Sequence, residues 1–355
     1  MLTVATFSLL LAVAAPMSAL ATTQLDESFG AATGIVSPSD WVMADSGAGT
    51  CLTAYTSGTP VATQGQATPA CGGTPDTDGE GVLRLTGVNY YSSGSILYNQ
   101  EIATSEGIGV HFFMAMYGGN NLDGVGADGV SFFLKNGADT STALGDLGAR
   151  LGYGGLDGAL LGVGFDAYGN FSDSNWWDDF NSDSGCLTTG LGPSARTPHS
   201  VVLRSGDRSL EKNGSVGFCY LGGTSDIDFS GTTRLEAAKE FLVTVDPATD
   251  PTPMVRVYIG PAGELPAEPT LTAAAPSEYL AASTFKFGFA ASTGLGTNFH
   301  EIWGVRVGEK ESVRTFLTLP STDRGEVGAS VVLVILAGLT AAAGVSLSAW
   351  GARRA

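Results

Sequence analysis

Three residues with oxygen-bearing side chains alternate where an apolar segment ends. Asp166, Tyr168 and Asn170 follow the run Leu160–Phe165, and alternate positions of an extended chain share one face. Oxygen donors on one face, with further carboxylates nearby, suit a hard cation such as calcium. Buried carboxylates gathered without a cation would repel one another. We therefore predict a calcium site here. The alternative is a solvated acidic loop without metal, which fits the next acids better when taken alone: Asp173, Asp178, Asp179 and Asp183.

Two other segments place polar groups beside glycines. In Gly126–Leu134 the carboxylate of Asp128 stands in a glycine-flanked turn that opens a strand. Near the other end of the chain, Phe287–Gly294 is followed by Phe299–Ile302. Glycine lets the backbone approach a ligand closely, so these two segments join the first as candidates to carry the chemistry of the protein.

In this order, the three segments resemble those of the L-type lectins, the family of the legume seed lectins. Gly152–Gly155 and Pro198–Arg204 resemble most the branch found on bacterial surface proteins. The resemblance covers about residues 25–307 and implies an all-β, concanavalin-like jelly-roll sandwich of antiparallel sheets. It also implies calcium-dependent carbohydrate binding without catalysis.

The resemblance implies a role for each matching residue. Asp128, after a cis peptide bond from Ala127, would accept hydrogen bonds from sugar hydroxyls. Asn170 would bridge calcium and sugar, and Asp166 would be a calcium ligand. Tyr168 would give calcium its carbonyl oxygen and the sugar its ring face. A backbone N–H at the sugar would come from Gly154 or Gly155.

Two positions depart from the family pattern or leave it open. Family members with a transition-metal site carry Glu where this chain has Gly164, which argues against a full manganese site. His199 could match the histidine of that site, but a surface or strand-end histidine is the favoured interpretation. The last calcium carboxylate is ambiguous among Asp173, Asp178 and Asp179, and loop length favours Asp178 or Asp179. Trp176 and Trp177 would either extend a sugar platform or pack beneath it.

Strand patterns dominate the chain between its two ends. Alternation in Val110–Met116 and Val255–Ile259 is typical of strands with one buried face, and one amphipathic stretch, Thr233–Phe241, favours a short helix. We expect a single sandwich over residues 22–308. The predicted strands are Gly81–Leu85, Val110–Met116, Val130–Leu134, Leu160–Phe165, Val201–Leu203, Phe241–Val245, Val255–Ile259, Phe285–Phe289 and Ile302–Val307.

Composition excludes several classes of protein. The 355 residues carry a net charge of −18, with 17 Lys and Arg against 35 Asp and Glu. Such a chain does not bind nucleic acid by neutralising phosphates. Its apolar fraction of 43% is too high for an intrinsically disordered protein.

Both ends of the chain predict export and anchoring. Residues 1–21 are uncharged and end in Ser18–Ala21, which predicts a cleaved secretory signal, although an uncleaved anchor fits too. Residues 327–351 are uncharged and long enough as a helix to cross a bilayer, and the basic tail 352–355 would be cytoplasmic.

The stalk, residues 309–326, contains Leu319-Pro320-Ser321-Thr322-Asp323. This sequence resembles a sortase signal with Asp323 in place of Gly, so attachment through Thr322 and simple membrane retention are both open. In either case the domain would be displayed at the cell surface.

Four cysteines outside the cell suggest disulfides. We favour the local pairs Cys51–Cys71 and Cys186–Cys219 over the two other pairings, and expect residues 46–80 to form a long loop pinned by the first.

Three functions remain open from the sequence. The leading one is a surface-anchored, calcium-dependent lectin that acts in adhesion or glycan recognition. A structural spacer of the cell envelope is the second. A glycoside hydrolase of the same architecture is the third, and it is disfavoured because the strands lack the paired acids that hydrolysis needs.

Overall fold

A computed structural model of the chain describes residues 25–141, 144–177, 192–206, 218–310 and 313. The predicted signal 1–21, the anchor 327–351 and the tail 352–355 lie outside these residues, as does nearly all of the stalk, including Thr322. Over the described part of the chain, no helix has the length and apolar character needed to span a bilayer.

The strands form two large sheets. Sheet A contains, in spatial order, β14 (Leu271–Ala274), β13 (Met254–Pro261), β12 (Lys239–Val245), β7 (Ile108–Tyr117), β16 (Phe299–Gly308), β5 (Leu83–Thr86) and β3 (Cys51–Leu52), with β1 (Leu25–Glu27) also pairing with β16. Sheet B contains β11 (Tyr220–Thr224), β10 (Ser200–Ser205), β9 (Ala159–Asp166), β8 (Gly129–Asn136), β15 (Thr284–Ser292), β6 (Ser93–Ala103), β2 (Trp41–Ser46) and β4 (Gln64–Gly65).

All strand pairs are antiparallel except β2 with β4. The chain winds between the sheets, with β5 and β7 in sheet A and β6 and β8 in sheet B. The predicted all-β sandwich of antiparallel sheets is confirmed. Short helices complete the described fold: α1 (Arg234–Ala237), α2 (Ser277–Ala281) and 3-10 turns at Pro38–Asp40, Gly148–Arg150 and Ser174–Trp176.

The main core lies between the two sheets. Phe112 of β7 stacks on Phe241 of β12 at 5.1 Å and meets Phe289 of β15 edge-on at 4.9 Å. The alternation predicted for β7 is confirmed, because Val110, Phe112, Met114 and Met116 are all buried in this core. Burial of apolar surface on this scale is the main stabilising contribution to a sandwich.

All nine predicted strands are present, with small shifts at their ends. The predicted helix over Thr233–Phe241 is wrong beyond its first turn. The Thr233 side chain accepts from Glu236 N and starts α1, but α1 ends at Ala237 and β12 begins at Lys239. Pairing with β7 and β13 and burial of Phe241 in the core override the local helical pattern.

A second apolar layer covers the outer face of sheet B. Phe133 and Val202 point away from the main core and pack with Tyr153, Phe171 and Trp177. These last three residues belong to the loops that follow β8 and β9. The layer therefore fixes those loops against the sheet.

The predicted Cys51–Cys71 disulfide is confirmed, with Cα atoms 5.0 Å apart. It lies in the long segment before β5, which holds two very short strands, β3 and β4. Cys219 is also disulfide-bonded, and Cys186, its predicted partner, lies outside the described residues.

Candidate functional site

The candidate site lies at one end of sheet B, where five neighbouring strands terminate in register. Ser46 of β2 pairs with Ser93 of β6, and Ser93 pairs with Ser292 of β15. Ser292 in turn pairs with Gly129 of β8, and Gly129 pairs with Asp166 of β9. The residues just beyond these strand ends therefore lie side by side at one end of sheet B, although they are far apart in the chain.

Asp128 is held in place by its backbone. The Ala127–Asp128 peptide bond is cis, as predicted. Asp128 N donates to Ser292 O of β15 at 3.0 Å, and Asp128 O accepts from Ala167 N and Tyr168 N, at 3.0 and 3.1 Å. Asp128 thus joins the ends of β8, β9 and β15.

The side chain of Asp128 is 5% exposed, and its buried Oδ2 contacts no hydrogen-bond donor among the described residues. A Cβ at Gly294 would lie 3.0 Å from that oxygen, so a larger residue at position 294 would crowd the carboxylate. Burial, and then the charge of Asp166, raises the pKa of Asp128 to about 8.

Asp166 organises the turn after β9. Its Oδ1 accepts from Gly169 N at 2.6 Å and its Oδ2 accepts from Phe171 N at 2.5 Å. Burial raises the pKa of Asp166 to about 7, against the opposing effect of these amide donors. Among the described residues neither Asp128 nor Asp166 forms an ion pair. Arg196 pairs with Asp123 instead, and its charge lowers the pKa of Asp166 only in part.

Tyr168 is engaged on three sides. Its hydroxyl donates to Asp123 Oδ2 at 3.0 Å, and the Arg196 guanidinium covers one face of its ring at 4.2 Å. Arg196 Nη1 also donates to the Tyr168 carbonyl oxygen at 3.4 Å. The predicted carbonyl ligand is therefore already in contact with a cationic side chain, and one ring face is left for a ligand.

The oxygen donors present are of the kind calcium takes. Asp166 offers a carboxylate, Tyr168 a carbonyl and Asn170 a side-chain amide, all on one turn. The described residues contain no group of three or more His, Cys, Asp or Glu that could hold a metal. Asp178 and Asp179, the predicted additional ligands, lie outside the described residues.

The position of Gly164 leaves no room for a side chain, because a Cβ there would meet the ring of Phe171. A glutamate at position 164 would therefore displace Phe171 from the outer apolar layer.

His199 precedes β10 and is half-buried, and its Nδ1 accepts from Phe229 N at 3.3 Å.

A cleft of about 880 Å³ lies over these strand ends of sheet B. Four residues singled out from the sequence line it, namely Asp128, Tyr168, Asn170 and Trp176. The others are Ser46, Tyr91, Ser93, Leu122, Leu144, Gly145, Asp146, Leu147, Gly148, Ala149, Arg150, Gly294 and Leu295.

Gly154 and Gly155 do not line the cleft. The N–H of Gly154 donates to Arg150 O at 3.1 Å, and a Cβ at Gly155 would meet the Asp146 carboxylate. Their loop reaches the cleft through residues 144–150 instead. Sugar contact by either glycine stays a prediction.

The two tryptophans have different positions. Trp176 is 49% exposed and lines the cleft, whereas Trp177 is buried and its Nε1 donates to Phe171 O at 3.1 Å. The sequence left open whether the two tryptophans extend a sugar platform or pack beneath it. Trp176 lies at the cleft, and Trp177 packs beneath it.

A buried arginine anchors the turn that carries Asn170. Arg204 of β10 donates from Nε to Phe171 O at 2.9 Å and from Nη1 to Phe218 O at 2.9 Å. Its guanidinium lies over Trp177 at 4.1 Å. Burial lowers the pKa of Arg204 to about 9, so the side chain stays charged at neutral pH.

Sequence reasoning missed the cleft residues Tyr91, Leu147, Arg150 and Leu295. The sequence does hold a signal for two of them. Tyr91 belongs to a tyrosine pair in a polar segment, and Leu295 stands between two glycines, so each is a large side chain in a turn-like sequence. Only the register of sheet B places them beside Asp128.

No family model and no curated protein matches the chain. Solved structures with a similar fold include the calcium-bound exoplasmic/lumenal domain of VIP36, with 14% identity and a TM-score of 0.47 over 80% of this chain and 89% of that one. A lectin from Bauhinia forficata in complex with GalNAc shows 13% identity and a TM-score of 0.47, over 80% and 97%. Lectin UEA-II complexed with galactose shows 14% identity and a TM-score of 0.45, over 81% and 99%.

Proposed function

We propose that this chain is a calcium-dependent carbohydrate-binding protein and that the sugar binds in the cleft at Asp128. One observation carries the proposal. Asp128 lines an open cleft and has a buried carboxylate oxygen without a partner among the described residues, and an unpaired buried acceptor is costly unless a ligand donates to it.

Each residue has a part in this function. Asp128 accepts hydrogen bonds from sugar hydroxyls, for which its ionised form is the better acceptor. Asn170 orients a neighbouring hydroxyl, and the free face of Tyr168 packs against the apolar C–H face of the ring. Asp166, Tyr168 and Asn170, completed by Asp178 or Asp179, would hold calcium. Bound calcium would supply the positive charge that favours the ionised carboxyls.

The proposal extends to display at the cell surface. The predicted signal 1–21 would direct export, and the segment 327–351 would hold the protein in the membrane. The motif at Thr322 would let a sortase transfer it to the cell wall. Weak binding by single copies would then be strengthened by multivalent display, which suits adhesion or glycan recognition.

A glycan array probed with the full chain tests this function, once with calcium and once with EDTA. The expected result is binding to a defined set of glycans that EDTA abolishes. Calcium-independent binding would contradict the role of the metal. No binding by a folded protein would favour the structural spacer.

A further inference from the structure

The cleft is longer than one sugar requires. It is lined from the ends of β9, β8, β15, β6 and β2, and four strand spacings of ~4.8 Å make about 19 Å. Asp128 directly precedes β8, and Tyr168 and Asn170 follow β9, so the polar centre lies near one end of this row of strands. Tyr91 precedes β6 and Leu295 follows β15, so these two residues line the cleft farther along the row.

Exposed apolar side chains are concentrated around this cleft. Nine large hydrophobic residues are exposed in the described part of the chain, and four of them line the cleft: Tyr91, Leu147, Trp176 and Leu295. Single exposed apolar residues need no explanation, but a group around a polar centre indicates a binding surface.

Hydrogen bonds hold the first of two groups of these residues. Tyr91 N donates to Gly294 O at 3.2 Å, which ties Tyr91 to the turn that carries Leu295. Thr293 Oγ1 donates to Asn89 O at 2.5 Å and so closes the same pair of turns.

The second group is held on the other loops. Arg150 Nε donates to Trp176 O at 3.2 Å, and Ser292 Oγ donates to Gly148 O at 2.8 Å. The backbone segments that carry both groups are therefore held in place before a ligand binds, which lowers the entropic cost of binding.

The charges of the cleft favour a neutral ligand. Arg150 is the one basic side chain among its described lining residues, and it donates to Asp146 Oδ2 at 2.8 Å. The protein as a whole carries a charge of −18, which repels an anionic glycan at a distance.

We infer that the cleft binds a chain of several linked neutral sugars across the strand ends. One unit contacts Asp128 and Asn170, and adjoining units pack on Trp176 and on the surface made by Tyr91 and Leu295. The inference rests on the proposed function and adds the class of ligand.

The test compares affinities along neutral manno-, gluco- and galacto-oligosaccharide series from one to six units, with calcium present. We expect affinity for the preferred series to rise at least tenfold between the single sugar and the tetrasaccharide. Polygalacturonate, the acidic probe, should bind more weakly than the neutral series.

Variants identify the surface responsible. Trp176→Ala and Tyr91→Asn should each lower the ratio of tetrasaccharide affinity to single-sugar affinity about fivefold. Asparagine is chosen at position 91 because its φ is +49°, a conformation that asparagine tolerates. Tyr90→Asn is the matched control, since Tyr90 is as exposed as Tyr91, 55% against 56%, but does not line the cleft.

The outcomes separate the two claims. Equal affinity for the single sugar and the tetrasaccharide, both lost in Asp128→Asn, would overturn the inference and leave the proposed function standing. Preference for polygalacturonate would overturn the assignment of a neutral ligand. No binding to any saccharide would overturn the proposed function and the inference with it.

Discussion

Asp128 connects the site to the stability of the protein. Its pKa is raised from 3.8 to about 8, so the folded state keeps a proton that the unfolded chain releases above about pH 4. This contribution to stability is complete below pH 4 and is lost as the pH rises through 8.

Asp128→Asn should therefore flatten the pH dependence of unfolding. Between pH 6.5 and 8.5 in EDTA, the free energy of unfolding of the wild type should fall by up to about 1.4 kcal/mol per pH unit on account of this group. The variant should fall less and be the more stable protein at pH 8.5. Buried His300, whose pKa is lowered to about 3, stays neutral throughout this window. Equal slopes in urea unfolding would contradict the assignment.

Arg196 should compete with calcium. Its guanidinium donates to the Tyr168 carbonyl and lowers the pKa of Asp166 by its charge, so it contacts one group that would hold the cation and stabilises the charge of another. Arg196→Gln should tighten calcium binding several-fold in isothermal titration. Arg306→Gln, on an exposed pair with Asp26, is the control. Weaker calcium binding by Arg196→Gln alone would show that Arg196 supports the metal site instead.

Among the elements, the turn after β9 depends on β10 through Arg204. Arg204→Met would remove a buried donor from the carbonyls of Phe171 and Phe218, and Phe171 O would keep only the bond from Trp177 Nε1. The loss at Phe218 should cost about 1–3 kcal/mol, and we expect a loss of that size in urea unfolding. Arg204→Lys keeps the charge but not the forked geometry of the guanidinium. Its free energy of unfolding should lie between those of the wild type and Arg204→Met. A change in Arg204→Met no larger than in Arg306→Met would refute this anchoring role.

Strands with a clear apolar alternation or a bounded apolar run could be predicted from the sequence, and strands with mixed sequences could not. β7 and β13 show the alternation directly. β6, Ser93–Ala103, was missed because its sequence SGSILYNQEIA mixes a short apolar run with polar residues. Pairing on both sides, with β15 and β2, makes it a strand. In the same way, pairing of β12 with β7 and β13 ends the predicted helix that starts at Thr233 after one turn.

At the scale of the whole molecule, the polar centre of the site was predictable but the cleft was not. Asp128, Tyr168 and Asn170 stand in short local motifs, so a resemblance could find them. Tyr91 and Leu295 reach the cleft only because β6 and β15 are neighbours in sheet B, and long-range register leaves no local pattern. The outer apolar layer, with Arg204 and Trp177, was hidden for the same reason.

The central claim is that a sugar binds at Asp128 with calcium. The most direct measurement is a glycan array in calcium for the wild type, Asp128→Asn and Asp157→Asn, where Asp157 is an exposed acid that does not line the cleft. We predict that the wild type and Asp157→Asn bind the same glycans and that folded Asp128→Asn binds none of them. Unchanged binding by Asp128→Asn would contradict the account.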